Sequence, residues 1–335
     1  MTATQTRQPA RSVAAKFLGG GSATVFALLA LVFVVIAFLN PGFFEPPSLM
    51  AFLKKAAPLV VLAVGQYLVI VCGEMDLSVG SLVGAQVAIA AGVMDGENGR
   101  TLPVILLMIG FGVLVGLVNG LLVTILRVHS LIATLGMMLV LYGAIRLWTG
   151  GAPTGALSDG FRQVGREGID LPVVRQLPWA LLVAIAIGVV AALVMRRPFG
   201  RTLVATGDND RAAAFAGVRV WRVRTVAFVF SSVLATVAAI LIGGYAGVDA
   251  QVGNGLEFTA ITAVVLGGVV LGGGRGTVLA AMAGALTVEA LFTLFNQLSL
   301  PSTVRPLAQG VIIIAAVAWA ARERRRPLLE QTNQP

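Results

Sequence analysis

The 335-residue sequence holds one cysteine, Cys72, and one histidine, His129. A single thiol excludes an intramolecular disulfide, and a single imidazole excludes a His-rich metal site. Lysines number three, Lys16, Lys54 and Lys55, and none follows a Gly-x-x-x-x-Gly run. The chain therefore has no phosphate-binding P-loop of its own; if ATP drives it, another subunit binds the ATP. Charge is scarce as well. Asp, Glu, Lys and Arg make up 12% of the residues, about half the share usual in soluble domains. One His, one Cys and scattered carboxylates offer no catalytic constellation, so an intramembrane enzyme is the reading furthest from this sequence.

What is abundant is apolar sequence: 57% of residues are hydrophobic and mean hydropathy is +0.92. The composition is that of an all-α polytopic membrane protein. About ten transmembrane helices, some short or broken, can be drawn: Ser22–Leu39, Pro58–Val71, Val79–Met94, Leu102–Leu126, Leu131–Trp148, Leu177–Met195, Val226–Ala246, Thr259–Leu271, Thr277–Gln297 and Val304–Ala320. The first resembles a signal peptide but is long and lacks an A-x-A cleavage pattern, so it reads as an uncleaved span. Ten spans divide the chain into an N-terminal tail (1–20), one transmembrane domain (21–321) and a C-terminal tail (322–335), with both termini cytoplasmic. Sixteen Lys and Arg then fall inside and seven outside, as the positive-inside rule asks. The net charge of +9 fits basic loops facing an anionic leaflet and says little about nucleic acid.

Residues 196–224 form the longest polar interruption in the second half and carry seven arginines, which puts this loop in the cytoplasm. It reads as ordered. Asp208 or Asn209 can cap a short helix through Arg211, Ala212 and Ala213, and Gly217 is placed to end it. Such a helix invites a partner; a solvated topogenic loop is the plainer reading. On the opposite side, residues 40–55 are expected outside, with a short interfacial helix ending at Lys54-Lys55. Residues 150–177 form the longest outside loop, a lid, a docking surface or a connector, and residues 248–258 are also outside.

Two breaks interrupt the apolar pattern. Between the second and third spans stands Cys72-Gly-Glu-Met-Asp-Leu-Ser-Val-Gly-Ser81. Gly73 and Gly80 permit a sharp turn, and Asp76 or Ser78 can cap the next helix. Glu74 and Asp76 at membrane depth need a partner, water or a helix end. The segment is either a capped turn or a break that lines a pathway. The second break follows the short eighth run, where Gly267 and Gly268 lead to Gly272-Gly273-Gly-Arg275-Gly276. It reads as an irregular segment packed inside the bundle; without a preceding strand and a Lys it is no phosphate loop. Gly110, Gly112, Gly116 and Gly120 give the fourth span a small-residue face. Glu289, near the middle of the ninth span, is a functional-site candidate or pairs with Arg275 or backbone. His129, in the Arg127–Ser130 turn, reads as a loop residue rather than a ligand or proton carrier.

Six stretches in order resemble the membrane permease subunits of ribose-type monosaccharide ABC transporters of bacteria. They are Asn40-Pro-Gly-Phe-Phe44, Gly73-Glu-Met-Asp-Leu-Ser-Val-Gly-Ser81, Leu131-Ile-Ala-Thr-Leu-Gly136, Phe199-Gly-Arg201 with the Asn209-to-Gly217 segment, Glu257-Phe-Thr-Ala-Ile261, and Gly267-Gly268 leading to Gly276. The resemblance spans about residues 40 to 320. It implies a homodimer in the bacterial cytoplasmic (inner) membrane, a cytoplasmic ABC ATPase that holds ATP and Mg, and an extracytoplasmic sugar-binding protein. No cofactor on this chain and no nucleic acid are implied. The 196–224 loop would then dock the ATPase. Two positions depart from the family pattern: Arg211 stands where the loop usually has Glu, and Glu74 where a second glycine is common. Glu74, Asp76, Glu289 and Asn296 are the candidates for the sugar path. A permease for branched-chain amino acids or nucleosides would share the architecture, and a proton-coupled transporter would use Glu74, Asp76 or Glu289 as carrier.

Overall fold

A computed structural model describes residues 22–315 and 318, apart from 173 and 250. The tails expected at 1–20 and 322–335, and the last residues of the tenth span, lie outside the described residues. α1 (Ser22–Leu39) is an 18-residue helix without a charged residue, about 27 Å at 1.5 Å per residue, close to the thickness of a hydrocarbon core. Asn40-Pro41 turns the chain into a single 3-10 turn, Pro41–Phe44. There Phe43 meets Phe44 and Phe52 edge-on, with ring centroids 5.2 and 5.5 Å away.

α2 (Pro46–Val71) begins with Pro46 and Pro47, placed where a missing N–H would have no partner in any case. The expected interfacial helix ending at Lys54-Lys55 does not exist as a separate element. One 26-residue helix runs through both lysines and through Pro58. Every residue from Ala56 to Val71 is buried, so close packing on all sides outweighs the single helical bond that Pro58 forfeits. This helix is the centre of the protein.

In chain order follow α3 (Val79–Met94), α4 (Thr101–Thr124), α5 (Ser130–Thr149), α6 (Asp159–Arg166), α7 (Trp179–Arg196), α8 (Pro198–Asp208), α9 (Asp210–Phe215), α10 (Val220–Ala246), α11 (Leu256–Leu266), α12 (Val278–Gln297) and α13 (Val304–Ala315). The 150–177 connection is more structured than its Gly- and Pro-rich sequence announces. After α6 it forms the antiparallel hairpin β1 (Gly168–Leu171) and β2 (Arg175–Pro178), with Ile169 opposite Leu177. Strands of four residues are too short to show an alternating pattern, so the all-α expectation missed them. Ser158 caps α6 by accepting from the Phe161 N–H at 3.2 Å, and Phe161 is fully buried.

Six of the described helices (α2, α4, α5, α7, α10 and α12) are long and apolar enough to cross a membrane, and α1, α3, α11 and α13 are shorter apolar helices. α2 packs against α7, α8, α10, α11 and α12. In lipid, helix association relies on close packing, not on apolar burial, and α4 shows how. Cβ atoms on Gly116 and Gly120 would come within 2.6 Å of the Val229 Cα and 2.7 Å of the Thr225 Cα of α10, and one on Gly112 would collide with the Thr236 hydroxyl. Gly110 takes no part; a Cβ there would meet open space. The bundle thus has an arginine-rich end, bearing α8 and α9, and a hairpin end, bearing α6, β1 and β2.

Candidate functional site

The first break, residues 72–78, leaves α2 through Gly73 in the left-handed region (φ 88°). Side chains from two helices, α5 and α2, bond its backbone, and two more, from α4 and α10, bond its side chains. Ser130 Oγ accepts from the Met75 N–H at 3.2 Å, and Thr134 Oγ1 from the Leu77 N–H at 3.0 Å. The Gln66 amide, suitably oriented, donates to the Asp76 carbonyl at 3.2 Å and accepts from its N–H at 3.3 Å. The fully buried Asp76 carboxylate accepts from the Ser78 N–H (2.9 Å), the Ser78 hydroxyl (2.6 Å) and the Ser231 hydroxyl (3.1 Å). Asn119 in turn donates to Ser78 Oγ at 2.9 Å. The segment is a closed turn in which Asp76 bonds the Ser78 N–H and hydroxyl, and neither Asp76 nor Ser78 makes a side-chain bond to the N–H groups of α3.

Beside it lies the arginine-rich segment. Residues 196–224 are not a loop but α8, α9 and the first turns of α10. Asn209 caps α9, accepting from the Ala212 N–H at 2.9 Å, and Asp208 is the last residue of α8. Gly217, at φ 86°, ends α9, with its N–H bonded to the Ala214 carbonyl. Arg211 is exposed, while Phe215 is 93% exposed, an aromatic ring held outward on a helix of six residues. Phe215 stands alone among arginines and alanines, and that isolation is the signal by which sequence reading could have singled it out.

Charge and backbone join α8 and α9 to the break. Arg224 Nε lies 3.0 Å from the Glu74 carboxylate and its Nη2 3.4 Å from Asp210 of α9. Glu74, which departs from the family's second glycine, thus has a partner inside this chain. Three glycine segments also meet here. A Cβ on Gly207 would collide with the Val71 carbonyl oxygen and lie 2.7 Å from the Gly274 nitrogen. One on Gly273 would lie 2.8 Å from the Gly207 Cα and 2.9 Å from the Gly73 nitrogen. The Gly274 N–H donates to the Val71 carbonyl at 2.9 Å. The two breaks found in the sequence, far apart in the chain, are therefore packed backbone to backbone on α8. Gly267 belongs to the same segment but packs on the Ala280 carbonyl of α12; Gly268 is in the left-handed region (φ 79°), and Gly272, Arg275 and Gly276 are exposed.

A different environment lies further along α3. The segment expected as an outside loop at 248–258 instead runs inward. Its Gly253 carbonyl lies 2.6 Å from where a Cβ on Gly80 would sit, and Val252 packs on Gly84. Gly80 is about 21 Å from the hairpin-end terminus of α3, at 1.5 Å for each of the roughly fourteen residues between. α11 starts at this depth. Between α3, α5 and the start of α11 is a cavity of about 260 Å3 whose polar lining is Ser81, Tyr142, Asn254 and Glu257, with Met138 and Leu139 as apolar wall. A narrower space of about 30 Å3 continues it to Asp249. Glu257 is 7% exposed, in the first turn of α11. Tyr142 accepts a hydrogen bond from Arg146 at 3.1 Å, and the guanidinium sits 4.2 Å above its ring.

The remaining candidates lie apart. Glu289 pairs with Lys55 of α2 at 2.8 Å rather than with Arg275, because the unbroken α2 carries Lys55 beside α12. Asn296 is exposed and accepts from Arg305 at 2.8 Å. Glu74 and Asp76 share one end of the bundle, but Glu289 and Asn296 do not join them around a common space.

The sequence and this geometry define a membrane permease component. The chain belongs to the family described as branched-chain amino acid transport system / permease component, which matches residues 48–317, from α2 into α13. It is a multi-pass protein of the bacterial cytoplasmic membrane, a transport subunit and not an enzyme. It is similar to the autoinducer 2 import system permease protein of Enterobacter sp. (strain 638), 38% identical over 89% of this chain and 85% of that protein. The corresponding protein of Klebsiella pneumoniae is 36% identical over 89% and 86%, and the ribose import permease protein of Bacillus subtilis (strain 168) is 33% identical over 87% and 90%. No solved structure matches the chain.

Proposed function

We propose that this chain is the permease subunit of an ATP-binding-cassette importer that moves a monosaccharide, a pentose or hexose, into the cell. The family description speaks of branched-chain amino acids, but relatives similar along 85–90% of their length are named for import of ribose and of autoinducer 2. The six long and four shorter apolar helices are read as ten spans, with both termini and the arginine-rich end cytoplasmic. The hairpin end then faces outward and receives an extracytoplasmic sugar-binding protein. ATP and Mg reside on a partner ATPase.

The observation that carries the coupling is Phe215. A large apolar side chain almost wholly in solvent, on a capped helix, is what a partner's pocket would anchor. Force applied to α9 reaches the interior by two routes. One is Asp210 through Arg224 to Glu74; the other is α8 through Gly207 to both breaks. Closure of the ATPase would shift the population of inward- and outward-facing states by acting on the break that Asp76 braces. A homodimer is supported by α5, whose exposed face carries Leu139 and Val140 and whose Gly136 and Gly143 would accept close approach of a second helix.

The test is a pull-down of ATPase from the native membrane by detergent-solubilised permease. Wild type is expected to recover a nucleotide-binding subunit, and the Phe215→Ala variant or replacement of 208–217 by a Gly/Ser linker to lose it. Stable, monodisperse wild type without an ATPase would sink the reading, as would uptake that stops with uncouplers but survives ATP depletion.

A further inference from the structure

The carboxylates of this protein separate into two kinds. Asp76 is bonded by hydroxyls and an N–H, Glu74 is paired with Arg224, and Glu289 is paired with Lys55. Glu257 has no side-chain partner and no ion pair among the described residues; its carboxylate is met only by backbone N–H groups at the start of α11, and the residue is 7% exposed. It lines the cavity between α3, α5 and α11. An acidic group buried at this depth is costly unless something meets it. Space, not protein, lies on its open side.

The cavity has a definite chemistry. Its polar groups are a carboxylate, a carboxamide and two hydroxyls, with a tyrosine ring and two apolar side chains, and no Lys or Arg lines it. Because Tyr142 already accepts from Arg146, its own hydroxyl proton remains available to an occupant. A zwitterionic amino acid could set its ammonium against Glu257, but no Lys or Arg lines the cavity to pair with its carboxylate. A sugar phosphate would fare worse. A neutral polyol satisfies every group, since its hydroxyls both donate to Glu257 and accept from Asn254 and Tyr142. The volume of about 260 Å3 equals that of about nine water molecules at roughly 30 Å3 each. A single sugar ring fits this space.

The geometry points to this cavity as the site that holds the monosaccharide in transit, with Glu257 and Asn254 taking its hydroxyls and Tyr142 its ring. The assignment rests on the importer reading of the preceding section. It also explains the backbone around it. A Cβ at Gly80 would strike the Glu257 carboxylate, so the glycine of the second family stretch makes room for the acid of the fifth.

The experiment is uptake of radiolabelled D-ribose, with L-leucine as the competing probe, by the permease reconstituted with its ATPase and binding protein. Losing a hydrogen bond to a charged group lowers binding about tenfold or more. Glu257→Gln is therefore expected to reduce ribose uptake by at least about tenfold and Asn254→Ala, which removes a neutral partner, by roughly severalfold, and recovery of the ATPase with each variant shows that the complex assembles. Asn254 is exposed, so its truncation leaves the packing intact even should Glu257→Gln fold poorly. A second readout uses Ser81→Cys. The native Cys72 is fully buried, so maleimide reports on position 81 alone, and ribose is expected to slow its labelling. Wild type that moves ribose with both variants equally active, and no protection at position 81, would overturn the cavity assignment alone. Wild type that moves leucine and no sugar would overturn the importer reading and this site with it.

Discussion

The arginine-rich junction and the cavity beside Glu257 lie at opposite ends of the short helix α11, and they treat polar groups in contrary ways. At the junction Glu74, Asp76 and Asp210 all have side-chain partners, and glycines bring three backbones together without side chains between them. At the cavity a buried carboxylate faces space. A saturated polar cluster specifies one arrangement and transmits displacement, whereas an unsaturated one is poised for a ligand. The difference separates what moves in this protein from what is moved.

The largest effect is expected where backbone meets backbone. Gly207→Val would drive a side chain into the Val71 carbonyl and the Gly274 nitrogen, and neither atom can yield as a flexible side chain would. Overpacking costs about 1–3 kcal/mol in ordinary cores and occasionally more, and this site, where only backbone atoms stand in the way, belongs beyond that range. Thermal unfolding in detergent should drop sharply and ATP-driven uptake should vanish; a variant with wild-type melting and transport would show that the junction is not tight.

Next comes Asp76. Asp76→Ala leaves the Ser78 N–H and the Ser231 hydroxyl without their acceptor, at about 1–3 kcal/mol for each buried group left unpaired. Asp76→Asn keeps one oxygen for Ser78 and should recover most of the loss. If the two variants melt together, the carboxylate does not brace the break.

A smaller effect is expected at the ion pair linking the junction to α9. Glu74→Gln and Arg224→Gln should each uncouple nucleotide hydrolysis from uptake, and the double variant should do no more than either alone. That cycle yields a coupling energy of about 1–3 kcal/mol. Additive losses would mean that force bypasses Arg224.

The smallest effect has the opposite sign, and it sharpens the contrast most. Glu257→Gln removes a buried charge that has no ionic partner among the described residues, so it should raise thermal stability by about 1 kcal/mol while impairing uptake. A loss of stability like that of the Asp76 variants would mean Glu257 is structural too.

Much of this architecture was legible because its causes are local. A bilayer requires long apolar runs, and Ser22–Leu39 and Val79–Met94 read from hydropathy are the observed α1 and α3. Asn209 and Gly217 begin and end α9 through bonds to residues a few positions away. Even the two breaks declared themselves, since glycines and carboxylates rarely interrupt apolar sequence without a reason. The partners did not. Glu74 and Arg224 are paired across 150 positions, and Gly207 meets Val71 and Gly274. The lone Gln66 and Asn119 in apolar helices find the same turn. Pro58 read as a helix start because its local cost is plain, whereas the packing around Ala56–Val71 that outweighs it comes from distant helices. Which carboxylate is saturated and which stands open depends on side chains brought together from every part of the chain. Hydropathy and capping act within a turn or two, so the sequence determined the helices and their ends; pairing and emptiness arise only when the helices pack, and these the tertiary structure decided.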